Sequence, residues 1–144
     1  MLPMGKKRVL FVCVHNSARS QMAQAYLNRF AGDRFEVESA GLEPGTINPY
    51  VVEVMKEEGI DLTGKKTNSA FDFLKEGRTY DIVVTVCDET SGQHCPIFPG
   101  QSQRIHWGFD DPSSFTGTEK EIENRVREVR DSIKEKILQF TQTA

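Results

Sequence analysis

This sequence has no excess of basic residues: 18 lysines and arginines face 21 aspartates and glutamates, for a net charge of −3. That balance excludes the cationic surface a nucleic-acid binder needs. No apolar run approaches the roughly 20 residues of a membrane span. The opening Met1–Lys7 leads into a short apolar run with no small-residue cleavage site, which argues against a secretory signal and makes the cytoplasm the expected compartment. Cysteine is scarce. Three thiols, an odd number, do not make the disulfide framework of a small secreted protein. Repeats, low-complexity tracts and domain linkers are also lacking. What remains is a chain of 144 residues, 38% apolar and 27% charged, which suits one globular domain able to bury a real core.

Strand and helix signals alternate along it. Lys7 to Cys13 reads as a strand, and the unbroken apolar block Val9–Val12 is what a strand covered on both faces needs. Ser20 to Ala31 has helical spacing of Met22, Ala23, Tyr26, Leu27 and Phe30. Phe35 to Ala40 is a second strand. After the loop "GLEPGTINP", Asn48 caps a helix with Pro49 in its first turn, running to about Glu58 before Gly59 ends it. "KKT", residues 65–67, reads as a short strand and Ala70–Lys75 as a short helix. Asp81–Val86 and Arg104–Trp107 add two strands. Thr118–Phe140 is a long helix with an apolar stripe of Ile122, Val126, Val129, Ile133, Ile137 and Phe140. The alternation predicts an α/β fold, a parallel sheet with helices on both faces. Ligands of such sheets bind beyond the carboxyl ends of the strands, where Cys13, Cys87 and the stretch "HWGFDDP" all fall.

The stretch "VLFVCVHNSARSQMA" carries the chemistry. A loop between strand and helix directs backbone N–H groups inward at the positive end of the helix dipole, and both attract an anion. Arg19 adds a planar fork of donors for a tetrahedral oxyanion. The groups that would hold the anion also favour the thiolate of Cys13. Ser17 and Ser20 offer hydroxyls to that sulphur, and Asn16 tolerates a left-handed backbone and can brace the loop. His15, Asn16, Ser17, Ala18, Arg19 and Ser20 thus form a candidate oxyanion cradle with Cys13 at its base. Asp111, before Pro112, is biased into an extended loop, but the residues alone do not choose between it and Asp110. His106 and Trp107 read as packing residues. His15 and His94 with the three cysteines match no compact zinc spacing, so no metal is expected.

"VCVHNSARS" resembles the C-x5-R-S signature loop of the low-molecular-weight protein tyrosine phosphatase fold, and the likeness extends over almost the whole chain, including "SAG" at Ser39–Gly41 and "DP" at Asp111–Pro112. Within that fold, "SQMA", "VVTVCDETSGQHCPIFPG" and "HWGFDDP" look closest to the thioredoxin-coupled arsenate reductases. The resemblance implies a four-stranded parallel sheet. It also implies a relay without a cofactor: Cys13 attacks arsenate, Asp111 acts as general acid, Cys87 attacks Cys13, and Cys95 moves the disulfide to Cys87–Cys95 for thioredoxin to reduce. Phosphate and sulfate are the expected mimics of arsenate, and a monomer the expected state. The polar, proline-free "DETSGQH" between the cysteines suggests a mobile segment from about Asp88 to Pro96.

The sequence departs from that pattern in three places. Ala18 stands where many members have a second loop cysteine, and His15 where glycine is common. Gln24 replaces the acidic residue that helps some related reductases bind potassium. Two rival functions stand beside the reductase. One is a tyrosine phosphatase, against which Ser113 and Ser114 follow the DP pair where aromatics would line a phosphotyrosine cleft. The other is a non-enzymatic oxyanion or redox sensor.

Overall fold

The computed structural model describes residues 6–16, 18–86, 98–100 and 102–143. Ser17, Cys87, Cys95 and the stretch Asp88–Pro96 lie outside the described residues.

The apolar block of the first strand sits at the centre of the sheet, as its lack of polar alternation requires. β1 (Lys7–Cys13) pairs in parallel with β2 (Phe35–Gly41), from Lys7 opposite Phe35 to Cys13 opposite Gly41. On its other side it pairs with β3 (Ile82–Thr85), from Val9 opposite Ile82 to Val12 opposite Thr85. β4 (Gln103–His106) continues the parallel sheet beside β3, giving the order β2-β1-β3-β4 among the described residues. Alternate β1 side chains feed two cores. Val9, Phe11 and Cys13 join Met22, Ala23, Tyr26 and Leu27 of α1 (Arg19–Ala31) and Val126, Ile133 and Ile137 of α4 (Glu119–Thr143). Leu10 and Val12 face Ala70 and Phe73 of α3 (Ala70–Lys75) with Tyr80, Val83 and Phe98. Each large apolar side chain so buried contributes about 1.5–3 kcal/mol. The four-stranded parallel sheet with helices on both faces is therefore the fold expected from the sequence. No helix among the described residues is long and apolar enough to cross a membrane.

α2 (Pro49–Lys56) begins as predicted: the Asn48 side chain accepts from Tyr50 N at 2.8 Å, and Pro49 occupies the first turn. Trp107 packs between the rings of Phe11 and Phe140, as expected, whereas His106 is exposed and bonds Thr85 Oγ1 through Nδ1. One expectation fails. Residues 65–67 are not a strand. Their backbone is bonded elsewhere: Lys66 O accepts from Gln21 Nε2 at 3.2 Å and Lys65 N donates to Leu62 O at 3.1 Å, while just beyond them Asn68 N donates to Asn16 Oδ1 at 2.8 Å. The chain then meets β2 through an isolated bridge between Ser69 and Gly41 and a bond from Asn68 Nδ2 to Ser39 O.

α2 is fastened to α4 by ions. Glu57 accepts from Arg127 and from the largely buried Arg130, which also donates to Val54 O. The bonds from Arg127 and then Arg130 hold the Glu57 carboxyl down at about 2, against an ordinary 4.5. The folded value lies below the unfolded one. The stabilisation is therefore fully present above about pH 5 and lost as pH falls toward 2. Urea unfolding of the wild type and Glu57→Gln across that range is expected to show a stability gap that is constant near neutrality and closes in acid.

Candidate active site

β1 delivers Cys13 to the carboxyl edge of the sheet, where it is 2% exposed. The loop that follows folds back over the sulphur. Asn16 N donates to Cys13 Sγ at 3.1 Å, and Ser20 Oγ lies 2.9 Å from it. Ser20 is in the first turn of α1, where free N–H groups favour an anion. Asn16 holds the turn with φ +55°, the left-handed conformation its side chain tolerates. It is fully buried and braced on three sides. Its Nδ2 donates to Ser20 Oγ at 2.7 Å, while Oδ1 accepts from Gln21 Nε2 and from Asn68 N. Ala18 is buried beside the loop.

His15 is exposed at the mouth. Its Nδ1 lies 2.8 Å from Glu43 O, which can only accept, so the ring donates there. The β2 exit strand reinforces the loop's far side: Leu42 N, Glu43 N and Gly45 N donate to the carbonyls of Cys13, Val14 and His15. Gly41 makes that approach possible. A Cβ there would stand 2.7 Å from Asn16 N and 2.8 Å from His15 C and Val14 O, all backbone atoms. Gly41→Ala should therefore push the loop away, costing about 1–3 kcal/mol of stability. Urea melts and the rate of Cys13 alkylation by iodoacetamide measure the two effects.

Arg19 joins this loop to a second one. It is 3% exposed, donates from Nη1 to Phe109 O at 3.1 Å, and holds Nη2 3.8 Å from Asp111 Oδ2. Its Nε is buried without a hydrogen-bond partner among the described residues. A buried guanidinium with a free N–H beside an anion-favouring loop is suited to an oxyanion. Asp111 begins the 3-10 turn Pro112–Ser114, with Oδ1 accepting from Ser113 N at 3.0 Å. Asp110 instead borders a cleft against Arg125 and Glu128 of α4. Of the two aspartates the sequence left open, Asp111 is the one facing Arg19. Gln24 bonds neutrally to β2, accepting from Ser39 Oγ at 2.6 Å and donating to Val37 O.

The structure thus gathers Cys13, Asn16, Ala18, Arg19, Ser20 and Asp111 at one rim with His15 at its mouth, while Ser17, Cys87 and Cys95 lie outside the described residues. Sequence reasoning missed Gln21 and Asn68, the braces of Asn16. Gln21 carried one signal: a polar residue beside the apolar stripe in the first turn of a helix. Asn68 carried none, because its partner is 52 residues away.

Residues 8–144 match the model of the low molecular weight phosphotyrosine protein phosphatase family. The chain belongs to that family. Members similar to it include an arsenate reductase of Halalkalibacterium halodurans, 40% identical over 140 residues that cover 97% of this chain and 99% of that one. Among solved members, an arsenate reductase in the phosphate binding state superposes with a TM-score of 0.76 at 31% identity, covering 95% of this chain and 98% of that one. A thioredoxin-dependent arsenate reductase of Corynebacterium glutamicum gives 0.60 at 34% identity, over 90% of this chain and 62% of that one.

Proposed function

We propose that this family member is an arsenate reductase that draws its electrons from its own thiols and is recharged by thioredoxin. The observation that carries the reading is the end-to-end likeness to arsenate reductases at about 40% identity. The site geometry suits the first step. An oxyanion seated on the loop N–H groups and Arg19 is within reach of Cys13 Sγ. The thiolate attacks As(V), and Asp111 protonates the departing oxygen. Cys87 then attacks Cys13 Sγ. The As–S electron pair stays on arsenic, arsenite leaves, and a Cys13–Cys87 disulfide remains. Cys95 attacks Cys87, freeing the Cys13 thiolate and leaving Cys87–Cys95 for thioredoxin. Two thiols are oxidised for each As(V) reduced to As(III), and no bound cofactor is needed. Val86, the residue before Cys87, supports the relay: its N–H donates to Val12 O at 2.9 Å, which ties it to β1 one residue before Cys13.

A relay of this kind needs free thiols, which supports a cytoplasmic location. Phosphate and sulfate fit the same cradle and should compete with arsenate. A phosphatase would use the same first step, but it would have no task for Cys87 and Cys95. The test is NADPH oxidation with thioredoxin, thioredoxin reductase and arsenate. We expect arsenate-dependent turnover, stopped by Cys95→Ser and exceeding hydrolysis of a phosphotyrosine peptide. Full turnover in Cys95→Ser, or hydrolysis outpacing reduction, would reject the proposal.

A further inference from the structure

Asp111 is held by a contact that the mechanism above does not use. The Asn48 side chain does two things at once. Oδ1 caps α2 at Tyr50 N, and Nδ2 donates to Ser113 Oγ at 3.1 Å, across 65 residues. Ser113 N in turn donates to Asp111 Oδ1, and Ser114 Oγ donates to Asp111 O at 2.7 Å. With Asp111 Oδ1 occupied in this way, Oδ2 is the oxygen turned to Arg19. The start of α2 is itself a fixed point. Asn48 is 9% exposed, and Val51, Val54 and Met55 are in the main core.

Packing fixes the ends of this stretch: Pro112 is buried, and Phe109 and Phe115 pack against the main core. Behind residues 108–110 lies an open cleft of about 350 Å³, bordered by Phe115, Arg125 and Glu128. Within that frame, with space behind residues 108–110, the bonds on the front of the loop aim the Asp111 carboxylate. Those are Arg19 to Phe109 O and Asn48 to Ser113 Oγ.

We propose that Asn48 and Ser113 form a clamp that positions the Asp111 carboxylate against Arg19, making them positioning residues for the proton-transfer step. The clamp rests on the reading of Asp111 as the acid. Sub-ångström placement matters there, because a misplacement of about 1 Å in a reacting group can cost on the order of 100-fold in rate. The clamp contributes nothing to seating the oxyanion, so its loss should appear in kcat and not in KM.

Ser113→Ala removes the acceptor hydroxyl, and Ser113→Thr restores it. Asn48→Ser keeps a helix-capping oxygen but is too short to reach Ser113. In the coupled arsenate assay, Ser113→Ala and Asn48→Ser should each lower kcat by about 3–10-fold with KM for arsenate unchanged, and the double variant should be no slower than the worse single one. Ser113→Thr should recover most of the rate. Thermal melts of each variant accompany the kinetics. Asp111→Asn, measured in parallel, separates the two layers. An unchanged rate in Asp111→Asn overturns the acid assignment and the clamp with it. A slowed Asp111→Asn beside wild-type rates in Ser113→Ala and Asn48→Ser overturns the clamp alone. So does a double variant whose losses multiply, or a loss confined to KM.

Discussion

Replacing Cys13 with serine is expected to cut arsenate-dependent NADPH oxidation by at least about 1,000-fold, since no other group replaces the nucleophile. The fold should survive. Serine is close to cysteine in size, and Ser20 Oγ and Asn16 N stand ready to bond a hydroxyl where they now meet the sulphur. Circular dichroism and urea melts of Cys13→Ser should therefore match the wild type closely while turnover disappears. If turnover persists, the nucleophile lies elsewhere and the cradle is only an anion site.

Arg19→Lys is the second substitution with a large effect. It keeps the charge and removes the planar fork. Arg19 presents three N–H sites from one buried group: Nη1 holds Phe109 O, Nη2 faces Asp111, and Nε has no hydrogen-bond partner among the described residues. A single ammonium on a flexible stem cannot reproduce that geometry. The Lys variant should lose about 100- to 1,000-fold in kcat/KM, equivalent to about 2.7–4 kcal/mol of transition-state stabilisation. Both parameters should suffer, because under the proposed function Arg19 would bind the oxyanion, and it also holds the loop bearing Asp111 through Phe109 O. Steady-state kinetics against arsenate measure this. Phosphate inhibition should weaken in parallel, since phosphate shares the cradle.

The parts legible in the sequence were those determined by near neighbours. The unbroken Val9–Val12 block marked β1 as covered on both faces, and its side chains do alternate between the two cores. Asn16 was read as tolerant of a left-handed turn and has φ +55°. Asn48 and Pro49 marked the start of α2. What stayed hidden depends on distant chain segments meeting. Lys65–Thr67 read as a short strand, yet Lys66 O bonds the Gln21 side chain from 45 residues away, and no local rule foresees that. The "DDP" run gave no physical reason to prefer Asp111 over Asp110; only the approach of Arg19 separates them in space. The "SAG" stretch counted as a likeness, but its glycine has a steric cause in the loop backbone packed against it. Asn48 read as a helix cap and nothing more, because its second bond reaches Ser113 far along the chain.

Arsenate reduction by the chain's own thiols is best tested with thioredoxin left out. Reduced protein is mixed with one equivalent of arsenate, quenched, alkylated and mapped by mass spectrometry. The prior reduction leaves all three thiols available at the start. The relay predicts one arsenite per chain, an alkylated Cys13, and a single disulfide joining Cys87 to Cys95. Three alkylated thiols with the arsenate intact, or arsenite formed while Cys95 remains free, would contradict it.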